Sequence, residues 1–218
     1  MIDLHTHTYL SDGELGVAEL AWRAEAAGCR ILGIADHADG ANMDFIVPRL
    51  VRAAAELSMA GGMRVVAGIE LTYVPPKLLA KAIARARSLG AQYVVVHGET
   101  IVEPVPGGTN AAAIEGGADI LAHPGLIAER DARHASRKGV LLEITTRKGH
   151  AYTNGHVLAV ARSSGAKLVI NSDTHGPDDL MGVEERAAVC RGAGMTAAEI
   201  RACLRNAAQL VARQCRGS

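Results

Sequence analysis

The sequence predicts an α/β protein built on an all-parallel sheet, and three observations carry that reading. Seven short apolar runs rich in Val, Ile and Leu recur along the 218 residues, with the uniform apolar character of strands buried on both faces. The segments between them follow the helical period, so that each strand is followed by a crossover back to the same sheet. No Gly-x-Gly-x-x-Gly follows the first run, which leaves a dinucleotide-binding sheet with little support. An open doubly wound sheet and a closed (β/α) barrel are the two architectures in competition.

The first run, 2–4, starts at the N-terminus with neither a basic region nor a long apolar stretch, which predicts no signal peptide. A helix over 18–27 follows, with Glu19, Arg23 and Glu25 among its polar positions. Runs 31–35 and 65–69 come next. An Ala/Arg/Leu helix over 77–89 stops at Gly90, as a helix C-terminus should. Beyond run 93–96, the Gly/Pro-rich stretch 103–108 reads as a loop over a site rather than as a linker. Between runs 120–122 and 140–144, the charged stretch around Arg130, Asp131, Arg133, His134, Arg137 and Lys138 reads as a solvated helix face. A helix over 154–164 stops at Gly165 and leads to run 168–170. The last helix, about 197–213, has Thr196 as its N-cap and Glu199 in capping-box spacing. With no linker, low-complexity tract or shift in composition, residues 1–218 read as a single domain.

Composition narrows the function. Apolar residues are 49% and charged residues 21%, which excludes a disordered chain. Lys plus Arg equals Asp plus Glu at 23 each, and only one Trp, one Phe and four Tyr occur. A neutral chain poor in aromatics argues against a nucleic-acid partner, and no stretch is long and apolar enough for a membrane span. Cys29, Cys190, Cys203 and Cys215 are widely spaced and read as reduced thiols of a cytoplasmic protein.

The chemistry lies at the carboxyl ends of the runs. In order, these deliver His5 and His7, Asp36 and His37, Glu70, His97, His123, Glu143, and Asp173 and His175. In a barrel these ends converge on one face, where active sites are built. Taken singly, His97 or His123 is a structural histidine, Glu70 an ion-pair partner and Asp36 a helix N-cap. Taken together, so many acids and imidazoles in one mouth are costly unless cations satisfy them. His5-Thr6-His7 and Asp173-Thr174-His175 each present two ligands on one side of an extended segment. Imidazole and carboxylate without thiolate suit zinc, manganese or iron. Arg147 and Lys148, just beyond the sixth run, are candidate phosphate-binding cations. His150 and His156 lie in the sixth loop and the following helix, where the sequence leaves a substrate role open.

His5-Thr6-His7 with Ser11-Asp12-Gly13, then Ala35-Asp36-His37, Glu70, His97, Ala122-His123-Pro124-Gly125 and Asn171-Ser172-Asp173-Thr174-His175, resembles the polymerase and histidinol phosphatase (PHP) family from residue 1 to 175. The resemblance implies a distorted (β/α)7 barrel and two to three divalent ions (Zn, Mn or Fe). By position, it implies that His5, His7, Glu70 and Asp173 hold a first ion, and that Glu70, His97 and His123 hold a second. Asp12, His37 and His175 would hold a third; some members carry a histidine one position later, where this chain has Gly13. The implied activity is a metal-dependent phosphoesterase that hydrolyses a small phosphate monoester, such as histidinol phosphate or a nucleotide, with a metal-activated hydroxide. Glu70, Asp173 and His175 carry the chemistry in that picture, and Glu143 orients a ligand imidazole. The alternatives are a phosphodiesterase, nuclease or cyclic-amide hydrolase on the same site. A further one is a non-catalytic barrel similar to the ribonuclease P subunits that keep the fold without metals. The oligomeric state is left open.

Overall fold

The computed structural model describes residues 1–214. Strand β1 (Ile2–Asp3) leads to α1 (Val17–Ala26), β2 (Ile31–Ile34), β3 (His37–Ala38) and α2 (Met43–Ala60). Next come β4 (Arg64–Leu71), α3 (Pro76–Ser88), β5 (Tyr93–His97), α4 (Thr109–Gly116), β6 (Ile120–Ala122) and α5 (Glu129–Lys138). The chain ends with β7 (Leu141–Thr145), α6 (Asn154–Ser164), β8 (Leu168–Asn171), α7 (Val183–Gly192) and α8 (Ala197–Gln214). The sheet runs β1-β2-β4-β5-β6-β7-β8, every pairing parallel, and β3 also pairs with β4. Ile34 faces Ala67 and His37 faces Glu70, so β2 and β3 keep one register on β4 and act as a single strand interrupted at Ala35 and Asp36. Seven strand positions result, as the seven apolar runs predict.

The seam between β1 and β8 is where the barrel is distorted. A single bridge, Thr6 to Thr174, joins them, supported by amide bonds from His7 to Thr174 and from Asp173 to His5, each 2.8 Å. The two histidines of the first motif and the Asp173–His175 motif are thereby set side by side.

Alternation along the strands makes two apolar layers. Leu32, Ile34, Ala67, Ile69, Val94, Val96, Leu142 and Ile144 face the helices. Leu4, Val66, Tyr93, Val95, Ile120, Leu141 and Val169 fill the barrel interior, joined by Ala207, Leu210 and Val211 of α8. Helix α8 therefore plugs the end of the barrel opposite the strand carboxyl ends. Tyr93 is fully buried in that interior, and a Cβ at Gly33 or Gly68 would collide with its side chain. Truncating so large a buried side chain costs about 3–5 kcal/mol. The reciprocal bonds between Thr196 and Glu199 (amide to Oε2 2.7 Å, amide to Oγ1 3.3 Å) form the expected capping box.

The helix bounds differ from the sequence expectation by one residue at 18–27 and 77–89, since frayed ends carry no periodic signal. Cys29, Cys190 and Cys203 are free and buried, and burial pushes the Cys29 thiol up to about 11 and the Cys203 thiol up to about 12. Cys215 lies outside the described residues. Among these, no helix is long and apolar enough to cross a membrane.

Candidate metal centre

Residues at the carboxyl ends of the strands converge on a cavity of about 750 Å³ whose walls include Asp12, His37, His97, His123, Asp173 and His175. Register explains the depth of Glu70: it lies two residues beyond Gly68 and four beyond Val66 on β4, so its side chain points into the barrel above the apolar layer. Glu143 on β7 stands in the same relation to Leu141.

The ligand atoms gather in three groups. In the centre, Glu70 Oε2 lies 3.3 Å from His5 Nε2 and 3.6 Å from His7 Nε2, and Asp173 Oδ1 lies 3.1 Å from His7 Nε2. On one side, His37 Nε2 and His175 Nε2 are 3.4 Å apart, with Asp12 Oδ1 at 3.6 and 3.3 Å from them. On the other side, the rings of His97 and His123 meet edge to face at 4.5 Å, and His123 Nε2 is 3.8 Å from Glu70 Oε1 and 3.7 Å from Asp173 Oδ2. The two oxygens of Glu70 thus face different groups.

Hydrogen bonds set which ring nitrogen is open. His5 Nδ1 donates to Glu143 Oε1 (2.8 Å), His97 Nδ1 to the Gly98 carbonyl (3.2 Å) and His175 Nδ1 to the Asp173 carbonyl (2.9 Å). In each case Nε2 is turned to a carboxylate oxygen, of Glu70, Glu103 and Asp12 respectively, the arrangement that orients an imidazole ligand. Glu143 also accepts from Asn171 Nδ2 (2.8 Å) and the His123 amide (3.0 Å), so one buried carboxylate ties three strand ends together.

Asp36 is neither a helix cap nor part of these groups. It is buried and accepts from the Thr8 amide, the Thr8 hydroxyl and the Ser11 hydroxyl (2.6, 2.8 and 2.6 Å), which fastens the turn carrying Asp12. A Cβ at Gly13 would stand 2.5 Å from the His7 carbonyl oxygen, so no side chain at position 13 is compatible with this turn, and Asp12 is the residue that reaches His37 and His175.

The electrostatics are those of a crowded, mutually neutralising cluster. Burial alone would lower His5, yet Glu143, Glu70 and Asp173 outweigh it and hold His5 well above the ordinary range. Burial also opposes the charge on His37, but Glu70 and Asp12 raise it to about 9. His7 and His123 go the other way, well below the ordinary range, through burial and the neighbouring imidazoles. Glu70 is held well below the usual carboxylate range by His5 and His37 against its burial, whereas burial lifts Asp173.

Even so, His5 Nε2, both ring nitrogens of His7, His123 Nδ1 and both Glu70 oxygens are buried without a well-formed hydrogen bond. Buried polar atoms left unsatisfied cost about 1–3 kcal/mol each. A hard or borderline cation satisfies nitrogen and oxygen lone pairs together, so the donor set fits divalent ions. His123 (φ 27°) and Asp173 (φ 56°) hold left-handed backbone conformations at the same place, a strain of about 1–3 kcal/mol each that clusters at functional sites.

Some sequence expectations fall outside this cluster. Arg147 is half-buried at the cavity wall, but its Nη1 is engaged by Asp179 Oδ2 at 2.7 Å, and that oxygen also accepts from the His175 amide (2.9 Å). Lys148 is exposed and is not part of the cavity wall. His134 pairs with Glu115 (3.1 Å) away from the cavity, and His156 Nε2 donates to the Ile127 carbonyl (2.9 Å). Two residues absent from the expected ligand set do reach it. The His150 ring stacks on His123 at 4.1 Å, and Glu103, from the loop read as covering a site, lies 3.1 Å from His97 Nε2.

The PHP domain model matches residues 3–183. The chain is 46% identical over 200 residues to an uncharacterized protein of Methanocaldococcus jannaschii, covering 91% of this chain and 92% of that one. Its fold is similar to a chain in archaeal ribonuclease P with mature tRNA (TM-score 0.73, 15% identity, 97% of this chain and 90% of that chain). It is also similar to histidinol phosphate phosphatase from Lactococcus lactis subsp. lactis complexed with zinc, L-histidinol and phosphate (TM-score 0.63, 14% identity, 89% and 94%). With most of its length matched by the domain model and its strand ends carrying these ligand groups, the chain belongs to the PHP family.

Proposed function

We propose that this protein is a metal-dependent phosphoesterase acting on a small phosphate monoester. The observation that carries the reading is the gathering of imidazoles and carboxylates at the strand carboxyl ends, with Glu70 facing His5, His37 and His123. His5, His7, Glu70 and Asp173 would hold one ion, Glu70, His97 and His123 a second, and Asp12, His37 and His175 a third. Divalent ions so placed lower the pKa of bound water and draw charge from phosphoryl oxygens. His175 and Asp12 line the open side of the cavity, where His175 would hold the third ion through Nε2 or, with that site empty, pass a proton from Nε2 to a departing alkoxide. Arg147 supplies the cationic fork nearest the cavity, and its pairing with Asp179 holds the guanidinium in place and anchors the turn of His175. The ligand set argues against a barrel that only binds.

The test is a screen of metal-loaded protein against phosphate monoesters, phosphodiesters, oligonucleotide ends and cyclic amides. Phosphate release from a monoester, with diesters at least tenfold slower, is the expected result. Turnover only of nucleic acid or of an amide would overturn the substrate class.

A further inference from the structure

Two carboxylates of the cavity wall stand outside the nine expected ligands, Asp39 and Glu103, and it is Glu103 that reaches a ligand imidazole. It stands in the loop between β5 and α4, a segment pinned at both ends. Glu99 Oε1 accepts from the Gly108 and Asn110 amides (3.0 and 2.8 Å), and Asn110 Nδ2 donates to the Pro124 carbonyl (2.9 Å). Gly125, at φ +61°, packs so tightly on the Glu99 carbonyl that any Cβ there would collide with it. From this frame the Glu103 carboxylate reaches back over the barrel mouth. Its Oε2 lies 3.1 Å from His97 Nε2 and accepts from the Tyr73 hydroxyl at 2.9 Å, and its Oε1 lies 3.3 Å from His150 Nε2. Tyr73 itself holds a strained left-handed conformation (φ 54°) that lays its ring on His97, centroids 5.6 Å apart.

We propose that Glu103 is a further ligand of the ion held by His97 and His123, with Tyr73 and His150 positioning its carboxylate. The inference rests on the metal-loaded reading of the site and adds a residue to it. His97 donates Nδ1–H to the Gly98 carbonyl, so Nε2 is its ligand atom, and that atom is the one facing Glu103. Two ligands on one tetrahedral ion with bonds of about 2.0–2.1 Å stand roughly 3.3–3.4 Å apart. The 3.1 Å separation of His97 Nε2 and Glu103 Oε2 therefore suits a shared ion with little rearrangement. His150 also lies near His97 and His123, but its ring is stacked on His123 within 15° of parallel. The lone pairs of two stacked rings run side by side instead of converging, so His150 serves as a support. Its Nδ1 is fixed by Thr100 Oγ1 at 2.8 Å, leaving Nε2 to hold the distal oxygen of Glu103.

The test is calorimetric titration of metal-free wild type, Glu103→Gln, Tyr73→Phe and His150→Gln with zinc(II), together with the visible spectrum of the cobalt(II) forms. We expect Glu103→Gln to bind one ion at least tenfold more weakly, with the other ions unchanged and the cobalt(II) bands altered. Tyr73→Phe and His150→Gln should weaken the same ion by a few-fold and shift the same bands, with the other ions unchanged. Unchanged stoichiometry, affinity and spectrum in Glu103→Gln would overturn the proposal. So would equal weakening of every ion, or a raised KM with unaltered metal binding, which would place Glu103 on the substrate. A wild type that binds no ion overturns both this assignment and the proposed function. A wild type that binds ions through Glu103 yet cleaves no phosphate ester overturns the function alone.

Discussion

Glu143→Gln is the substitution that probes how the barrel holds its imidazoles. The residue is fully buried and accepts three hydrogen bonds, two at Oε1 from His5 Nδ1 and Asn171 Nδ2 and one at Oε2 from the His123 amide. Glutamine keeps the volume but offers acceptors on one side only. If its oxygen faces His5 and Asn171, its amino group meets the His123 amide donor to donor; if it flips, two bonds are lost. At least one hydrogen bond to a charged acceptor disappears, worth about 1.5–3 kcal/mol. The charge that favours Nδ1–H donation by His5 disappears with it. Part of that loss falls on the fold and part on metal binding, for which disturbing a ligand's hydrogen-bond partner costs roughly 10–100-fold in affinity. We expect zinc titration to show that loss for the ion bound by His5, and thermal melts of the metal-free protein to show a lower Tm. Wild-type affinity and Tm in Glu143→Gln would refute the claim that this carboxylate orients the ligands.

Three further outcomes follow from the same geometry. Glu70→Ala should abolish phosphatase turnover more completely than His175→Ala, because Glu70 faces His5, His37 and His123 while His175 belongs to one group; equal residual kcat at equal metal content would contradict this. Arg147→Ala should lower kcat/KM on the best monoester by about 10- to 150-fold, equivalent to about 1.5–3 kcal/mol, and Arg147→Lys should recover only part, since it keeps the charge but loses the fork; identical values in all three proteins would remove Arg147 from the site. For metal-free protein, the raised pKa of His37, about 9 against 6.5 unfolded, contributes at most roughly 3 kcal/mol of stability that is complete below pH 6.5 and lost as pH rises through 9. His5, raised by its carboxylates, acts in the same direction, so metal-free Tm should fall between pH 6.5 and 9 while zinc affinity rises as protons leave the ligands; a metal-free Tm that rises over that interval would be incompatible with these charges.

What the sequence made legible was set by strand periodicity. Reading the residue at the end of each apolar run located His5, His7, His37, Glu70, His97, His123, Asp173 and His175, because parallel strands in one barrel necessarily bring those ends together. Glu143 was recognisable as a support for the same reason: it shares the inward face of β7 with Leu141. Glu103 and His150 carry no such signal. They come from loops whose positions depend on long-range pairs, Tyr73 with Glu103 and Thr100 with His150, that no local spacing encodes. Arg147 and Asp36 were legible by position, just beyond the sixth run and at the end of the second, but not by partner: Asp179 stands 32 residues from Arg147, and Thr8 and Ser11, rather than a helix end, fill the acceptors of Asp36.

The central claim is that the unsatisfied buried nitrogens and carboxylate oxygens around Glu70 exist to hold divalent ions. Elemental analysis of protein purified without chelator, repeated after equilibration with zinc, manganese or iron, measures it most directly. At least two equivalents of ion per chain is the predicted result, reduced in Glu70→Ala. Protein that is metal-free as isolated and takes up none of the three ions would contradict the account.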